Sequence, residues 1–204
     1  MSSLSKQDFE GALPYLLSTS KSESIIRDLL AFRLHEKFQG KHYAVAREWS
    51  YKKKQTKPRG RADIAIFASS EKGKNKHFKK PPIAILEAKM VAAPGKKGKS
   101  VIRHINSLAD QLVKRKRWSN AERFGLLAVR IFKETYPNST SAFDEVIGYR
   151  KNSLKLPPDL DPIVMDRAKD LRLSLVKQGT GTLICGEEKV LQARVSLKWW
   201  LFSL

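Results

Sequence analysis

The sequence predicts an α/β fold, a central mixed β-sheet flanked by helices. Three observations carry this prediction. A helical apolar stripe over residues 22–38 precedes three strand-like segments. A second, strongly amphipathic helix separates the third strand from a fourth. Near the C-terminus, an alternating run pairs with a short apolar segment as a hairpin.

The first helix is read from Ile26, Leu30 and Leu34, which recur at every fourth position beside Leu29 and Phe38. Ser22 is placed to cap its start and Gly40 to end it. Residues 43–51, 61–68 and 82–89 read as strands, the first two joined by a basic turn containing Pro58 and Gly60. A Gly/Lys loop over 91–99 leads into the second helix, expected from about Lys99 to Trp118. Val101, Ile102, Ile105, Leu108, Ala109, Leu112 and Val113 form its apolar stripe. Residues 123–132 read as a buried strand. Residues 141–150 suggest a short helix, Pro157, Pro158 and Pro162 mark a break, and 163–176 suggest another helix. From Val190 to Trp200, Leu191, Ala193, Val195, Leu197 and Trp199 alternate with polar residues, as in a half-buried strand. Leu183-Ile184-Cys185 is its expected partner.

A chain of 204 residues suits a single domain over 1–204. Within it, 22–132 form the expected core and 141–204 a helical and β-hairpin extension. Lys and Arg number 40 against 20 Asp and Glu, a net charge of +20. That excess favours a polyanionic partner. It concentrates in residues 51–99, which hold 15 Lys/Arg and three acids, Asp63, Glu71 and Glu87. The single cysteine, Cys185, excludes an internal disulfide. No signal-peptide run and no apolar stretch of membrane-spanning length is visible, so a cytoplasmic or nucleoid-associated protein is expected, without membrane contact.

Two of the strands carry charge where a buried strand should not. Arg61-Ala62-Asp63-Ile64-Ala65-Ile66-Phe67 holds one acid. Ile83-Ala84-Ile85-Leu86-Glu87-Ala88-Lys89 holds an acid and a lysine. Buried charges are costly without partners or a metal. Alternation puts Glu87 and Lys89 on one strand face. An Asp and a Glu from neighbouring strands can share a divalent cation, which takes one or two carboxylates plus waters and substrate phosphate. A lysine beside them can hold a scissile phosphate or an attacking water. The set suits metal-assisted phosphodiester hydrolysis.

The order helix, strand with Asp63, strand with Glu87-Ala88-Lys89, helix, strand resembles the core of the PD-(D/E)xK nuclease superfamily. The resemblance covers about residues 22–132 and implies a restriction-endonuclease-like fold. Ala62 stands where the family name has proline. By resemblance, Asp63 and Glu87 would be metal ligands for Mg²⁺, with Mn²⁺ able to substitute, and Lys89 the catalytic lysine. The family often adds a glutamate from the first helix; Glu23 is the candidate, with Glu48 as alternative. Gln111 is the candidate for a glutamine on the following helix. The fuller Gln-x-x-x-Tyr pattern is absent, since Arg115 stands at the tyrosine position.

Each position also has a structural reading. Asp63 can pair with Arg61 or Lys89. Glu87 and Lys89 can form an edge-strand ion pair. Glu23 can simply favour the positive end of its helix, and Gln111 can be a surface amide. Trp199 and Trp200 read as core or dimer interface rather than as a base-stacking platform. Phosphate contacts are expected from Lys52, Lys53, Lys54, Arg59, Arg61, Lys96, Lys97, Lys99, Lys114, Arg115 and Arg117.

The expected function is a Mg²⁺-dependent endonuclease on double-stranded DNA. A restriction-type enzyme would act as a homodimer on a short palindrome. A structure-specific or transposon-end nuclease of the same fold is the first alternative. A non-catalytic, basic nucleic-acid-binding protein is the second.

Overall fold

The computed structural model describes residues 22–50, 61–68, 81–91, 98–116, 120–135, 159–185 and 193–204. Helix α1 spans Ser22–Phe38, and Gly40 beyond it takes φ 73°, the left-handed conformation that suits glycine after a helix. Strands β1 (Tyr43–Trp49), β2 (Ala62–Ala68) and β3 (Ala84–Val91) follow. Helix α2 runs Lys99–Arg115, ending short of the expected Trp118, and leads to β4 (Glu122–Thr135). Helix α3 (Leu160–Asp170), β5 (Ser174–Cys185) and β6 (Ala193–Ser203) complete the described chain. The expected helix at 141–150 lies outside the described residues.

The six strands form one mixed sheet in the order β1-β2-β3-β4-β6-β5. Only β3 and β4 run parallel, and α2 is the crossover that a parallel pair requires. Val101, Ile105, Leu108, Ala109 and Leu112 of α2 pack with Val91, Leu127, Val129, Trp200 and Phe202. Leu160, Val164 and Ala168 of α3 join the same core. Met90, next to Val91 and so on the opposite strand face, packs against Ile25, Ile26 and Leu29 of α1. The two helices therefore cover opposite sheet faces. No helix among the described residues is long and apolar enough to cross a membrane.

Three sequence expectations need correction. Helix α3 starts at Leu160, not 163, and stops at Asp170. Pro162 lies in its first turn, where a missing N–H costs no helical hydrogen bond. Asp159 caps that turn by accepting from Asp161 N at 3.1 Å. Second, the hairpin of the expected extension joins the central sheet, because β6 pairs with β4 as well as β5. The expected hairpin register is present, with Leu183 opposite Val195 and Cys185 opposite Ala193. Third, among the side chains of β6 that are described, Trp200 and Phe202 are the most deeply buried, on the face opposite Leu197 and Trp199. An interior strand is covered on both sides, so alternation does not identify its deeper face. Trp200 Nε1 donates to Asp161 Oδ1 at 3.0 Å, satisfying the indole inside the core.

Candidate active site

The site lies where the sheet opens. The β2–β3 ladder consists of Ile64↔Leu86, Ala65↔Ile85 and Ile66↔Ala84. One further step of that register would set Asp63 opposite Glu87. The ladder stops there, while β3 continues along β4 to Val91↔Val129. The β1–β2 ladder has the same irregularity. Arg47 pairs with Ile64 and Trp49 with Ala62, so Glu48 occupies the step opposite Asp63. Glu48 has φ 47°, a conformation rare for a non-glycine residue. Extending both registers would set Glu48, Asp63 and Glu87 level with one another on three adjacent strands, although neither Glu48–Asp63 nor Asp63–Glu87 is a ladder pair. Like charges set directly opposite destabilise strand pairing, and both ladders are broken at this row.

The backbone groups released at the seam find side-chain partners. Asp63 Oδ2 accepts from Ala88 N at 2.8 Å. Glu23, in the first turn of α1, accepts from Met90 N at 3.5 Å and from Lys89 Nζ at 2.9 Å. The structure therefore brings Glu23, Asp63, Glu87 and Lys89 to one seam.

Each candidate acid is matched by a protein cation. Arg27 of α1 lies 3.6 Å from Asp63, 3.3 Å from Glu48 and 3.3 Å from Asp28. Arg61 reaches Glu48 at 3.2 Å. Glu87 is 1% exposed and accepts from Arg115 Nε at 2.5 Å. The Arg115 Nη2 group also donates to the carbonyl of Arg61. Burial pushes the Glu87 carboxyl up to about 7, and Arg115 pulls against that shift. Among the described residues, no three acidic, His or Cys side chains form a cage by themselves.

These pairings differ from the alternatives considered from sequence. Asp63 pairs with Arg27, not with Arg61 or Lys89. Glu87 takes Arg115 and Lys89 takes Glu23, and β3 is an interior strand, not an edge. Gln111 is not a surface amide, because its Oε1 is buried without a hydrogen-bond partner. A buried polar atom of this kind usually meets water or an ion. Lys99 and Lys114 are exposed on α2, and Arg61 is exposed at the start of β2. Arg115 is corrected: expected as a surface phosphate contact, it is 6% exposed and committed to Glu87. Lys52, Lys53, Lys54, Arg59, Lys96, Lys97 and Arg117 lie outside the described residues.

Arg27 and the interior role of Arg115 were not foreseen from sequence, although each left a signal. Arg27 is four residues after Glu23 and so shares its helix face. Arg115 continues the buried spacing Val101, Ile105, Leu108, Leu112. A charged residue at the next step of a buried stripe marks an interior partner. Comparison with family models, curated proteins and solved structures returned no match.

Proposed function

We propose that the chain is a Mg²⁺-dependent endonuclease that hydrolyses DNA phosphodiester bonds, with a PD-(D/E)xK-type site. The observation that carries this reading is the row of strand carboxylates ending beside Lys89 at a seam in the sheet. Asp63 and Glu87 stand at the step where the β2–β3 ladder stops, and like charges set opposite there would weaken the sheet. The carboxylate oxygens of Asp63 and Glu87 are of the donor type a hard cation takes, with waters and substrate phosphate supplying the other positions. Asp63 and Glu87 would hold Mg²⁺, with Glu23 the additional carboxylate. When bound, the ion supplies Lewis acidity toward the phosphate and lowers the pKa of water.

The chain's own groups then have distinct tasks. Lys89, steadied by Glu23, donates to a phosphate oxygen or orients the attacking water. Asp63 keeps the opened end of β2 tied to β3 through Ala88 N. Arg27 lies nearest the row on the α1 side and balances its charge before substrate arrives. The net charge of +20 supplies the attraction for double-stranded DNA.

The test is cleavage of a defined plasmid in Mg²⁺ and Mn²⁺. The expected result is nicking or cutting that is lost in Asp63→Ala and Lys89→Ala proteins that still bind DNA. Discrete fragments would indicate a restriction-type enzyme, expected as a homodimer. Preference for branched or nicked DNA would indicate a structure-specific enzyme, and dependence on another protein a transposon-end nuclease. The complete set of internal ion pairs favours a second reading, a non-catalytic basic nucleic-acid-binding protein. Wild-type protein inert toward DNA and RNA in either metal would select it.

A further inference from the structure

We infer that Arg115 is a positioning residue for Glu87, an inference that rests on the nuclease reading of the site. Arg115 ends α2 at the step of the buried stripe after Leu112. Two contacts of its guanidinium bear on the site. Nε binds Glu87 Oε1 at 2.5 Å, and Nη2 binds the main-chain carbonyl of Arg61, one residue before β2. One side chain therefore links α2, the acid-bearing end of β3 and the start of β2. These are the elements that separate at the seam, where no ladder bond joins Asp63 to Glu87.

The geometry has a chemical consequence. Contact at Oε1 fixes the rotation of the Glu87 carboxylate and directs Oε2 elsewhere. The bond to the Arg61 carbonyl fixes how far Asp63, two residues on, lies from Glu87. A planar guanidinium can do both at once, whereas a lysine ammonium is a point charge on a flexible stem. Asp63 has a different type of counter-charge. Arg27 is shared among Asp28, Glu48 and Asp63, with its Asp63 contact at 3.6 Å. Arg27 is thus the cation that yields when another ion approaches Asp63, and Arg115 is the one that stays. Glu87 and Arg115 are 1% and 6% exposed, so removing either partner leaves the other buried without its counter-charge.

The experiment compares wild type, Arg115→Ala and Arg115→Lys below the melting temperature of each. Plasmid cleavage is followed over a Mg²⁺ titration, and Mn²⁺ binding is measured by calorimetry. Loss of an orienting partner behind a metal ligand typically costs about 10–100-fold in affinity or activity. Arg115→Ala is expected to lose that much in kcat and in Mn²⁺ affinity, with KM for DNA unchanged. Added guanidinium ion should restore part of the lost rate, and Arg115→Lys should fall between. If Arg115→Ala does not fold, Arg115→Lys decides, because it keeps the charge and loses the bridge. Wild-type kcat and Mn²⁺ affinity in the folded variants would overturn the inference while leaving the nuclease reading intact. A wild-type protein that neither binds Mn²⁺ nor cleaves DNA would overturn both.

Discussion

Asp63 accepts the backbone N–H of Ala88 at 2.8 Å, a side chain standing where a neighbouring strand's carbonyl would otherwise be. The carboxylate thus has two separable properties, an acceptor for β3 and a negative charge for the site. Asparagine retains the first and lacks the second. Asp63→Asn is expected to stay within about 1 kcal/mol of wild-type stability. Asp63→Ala, which leaves the Ala88 N–H without its acceptor, is expected to cost about 1–3 kcal/mol. On the proposed function, both should lose Mn²⁺ binding and cleavage, on the order of 10²–10³-fold in rate. Urea denaturation paired with calorimetry and plasmid assays separates the two properties.

The Glu87–Arg115 pair predicts a non-additive pattern. Removing Arg115 leaves Glu87 buried without its counter-charge and forces it to take up a proton, so Arg115→Met should cost up to about 3–5 kcal/mol. The double variant Glu87→Leu/Arg115→Met should recover most of that loss, because two apolar side chains replace two desolvated charges. Denaturant midpoints of the single and double variants check this. A double variant as unstable as the sum of the singles would count against the pair's isolation from water.

Burial of Glu87 sets a pH dependence with a definite sign. Its carboxyl titrates at about 7 in the folded protein against 4.5 as its ordinary value. The native state therefore holds a proton that the unfolded state has released between those pH values. This contribution to stability is fully present below 4.5 and is lost as pH rises through about 7. Glu87→Gln should remove that part of the slope, measured as urea midpoints across the interval. The metal binding proposed for Glu87 would require the ionised form and would therefore release protons near pH 7. Calorimetry in buffers of different ionisation enthalpy detects that release.

Gly125 is a point of close approach between β4 and α2. A Cβ there would lie 2.9 Å from Leu108 and 3.0 Å from Leu112. Both leucines are fully buried, so neither has room to retreat. Gly125→Ala should therefore destabilise the protein by about 1–3 kcal/mol. Thermal denaturation measures it, and an unchanged melting temperature would show that α2 can shift along the sheet.

DNA affinity should depend steeply on salt. If six or more phosphates are neutralised, affinity should fall by roughly 10³-fold or more between about 50 and 200 mM salt. Fluorescence anisotropy on a duplex gives the slope. Lys114→Ala, at an exposed cation, should lower the slope by about one contact. Arg115→Lys, at a buried one, should leave it unchanged.

The amino-acid sequence by itself determined the α/β character, the first four strands and the two helices that frame them. Apolar spacing in α1 and α2 sets which helix faces are buried, and these are local properties of the chain. It also marked Asp63, Glu87 and Lys89, because charge within an apolar strand is visible without coordinates. Only the tertiary structure decided which cation meets which acid. Arg27 reaches Asp63 across 36 positions of sequence, and Arg115 reaches Glu87 across 28. It also decided that β6 enters beside β4, so that Trp200 and Phe202 complete the core under α2. Register is a relation between strands, so no single segment encodes the row of Glu48, Asp63 and Glu87. The physical reason is common to all three cases. Periodicity reports what one segment buries, whereas ion pairing and strand order depend on segments distant in the chain.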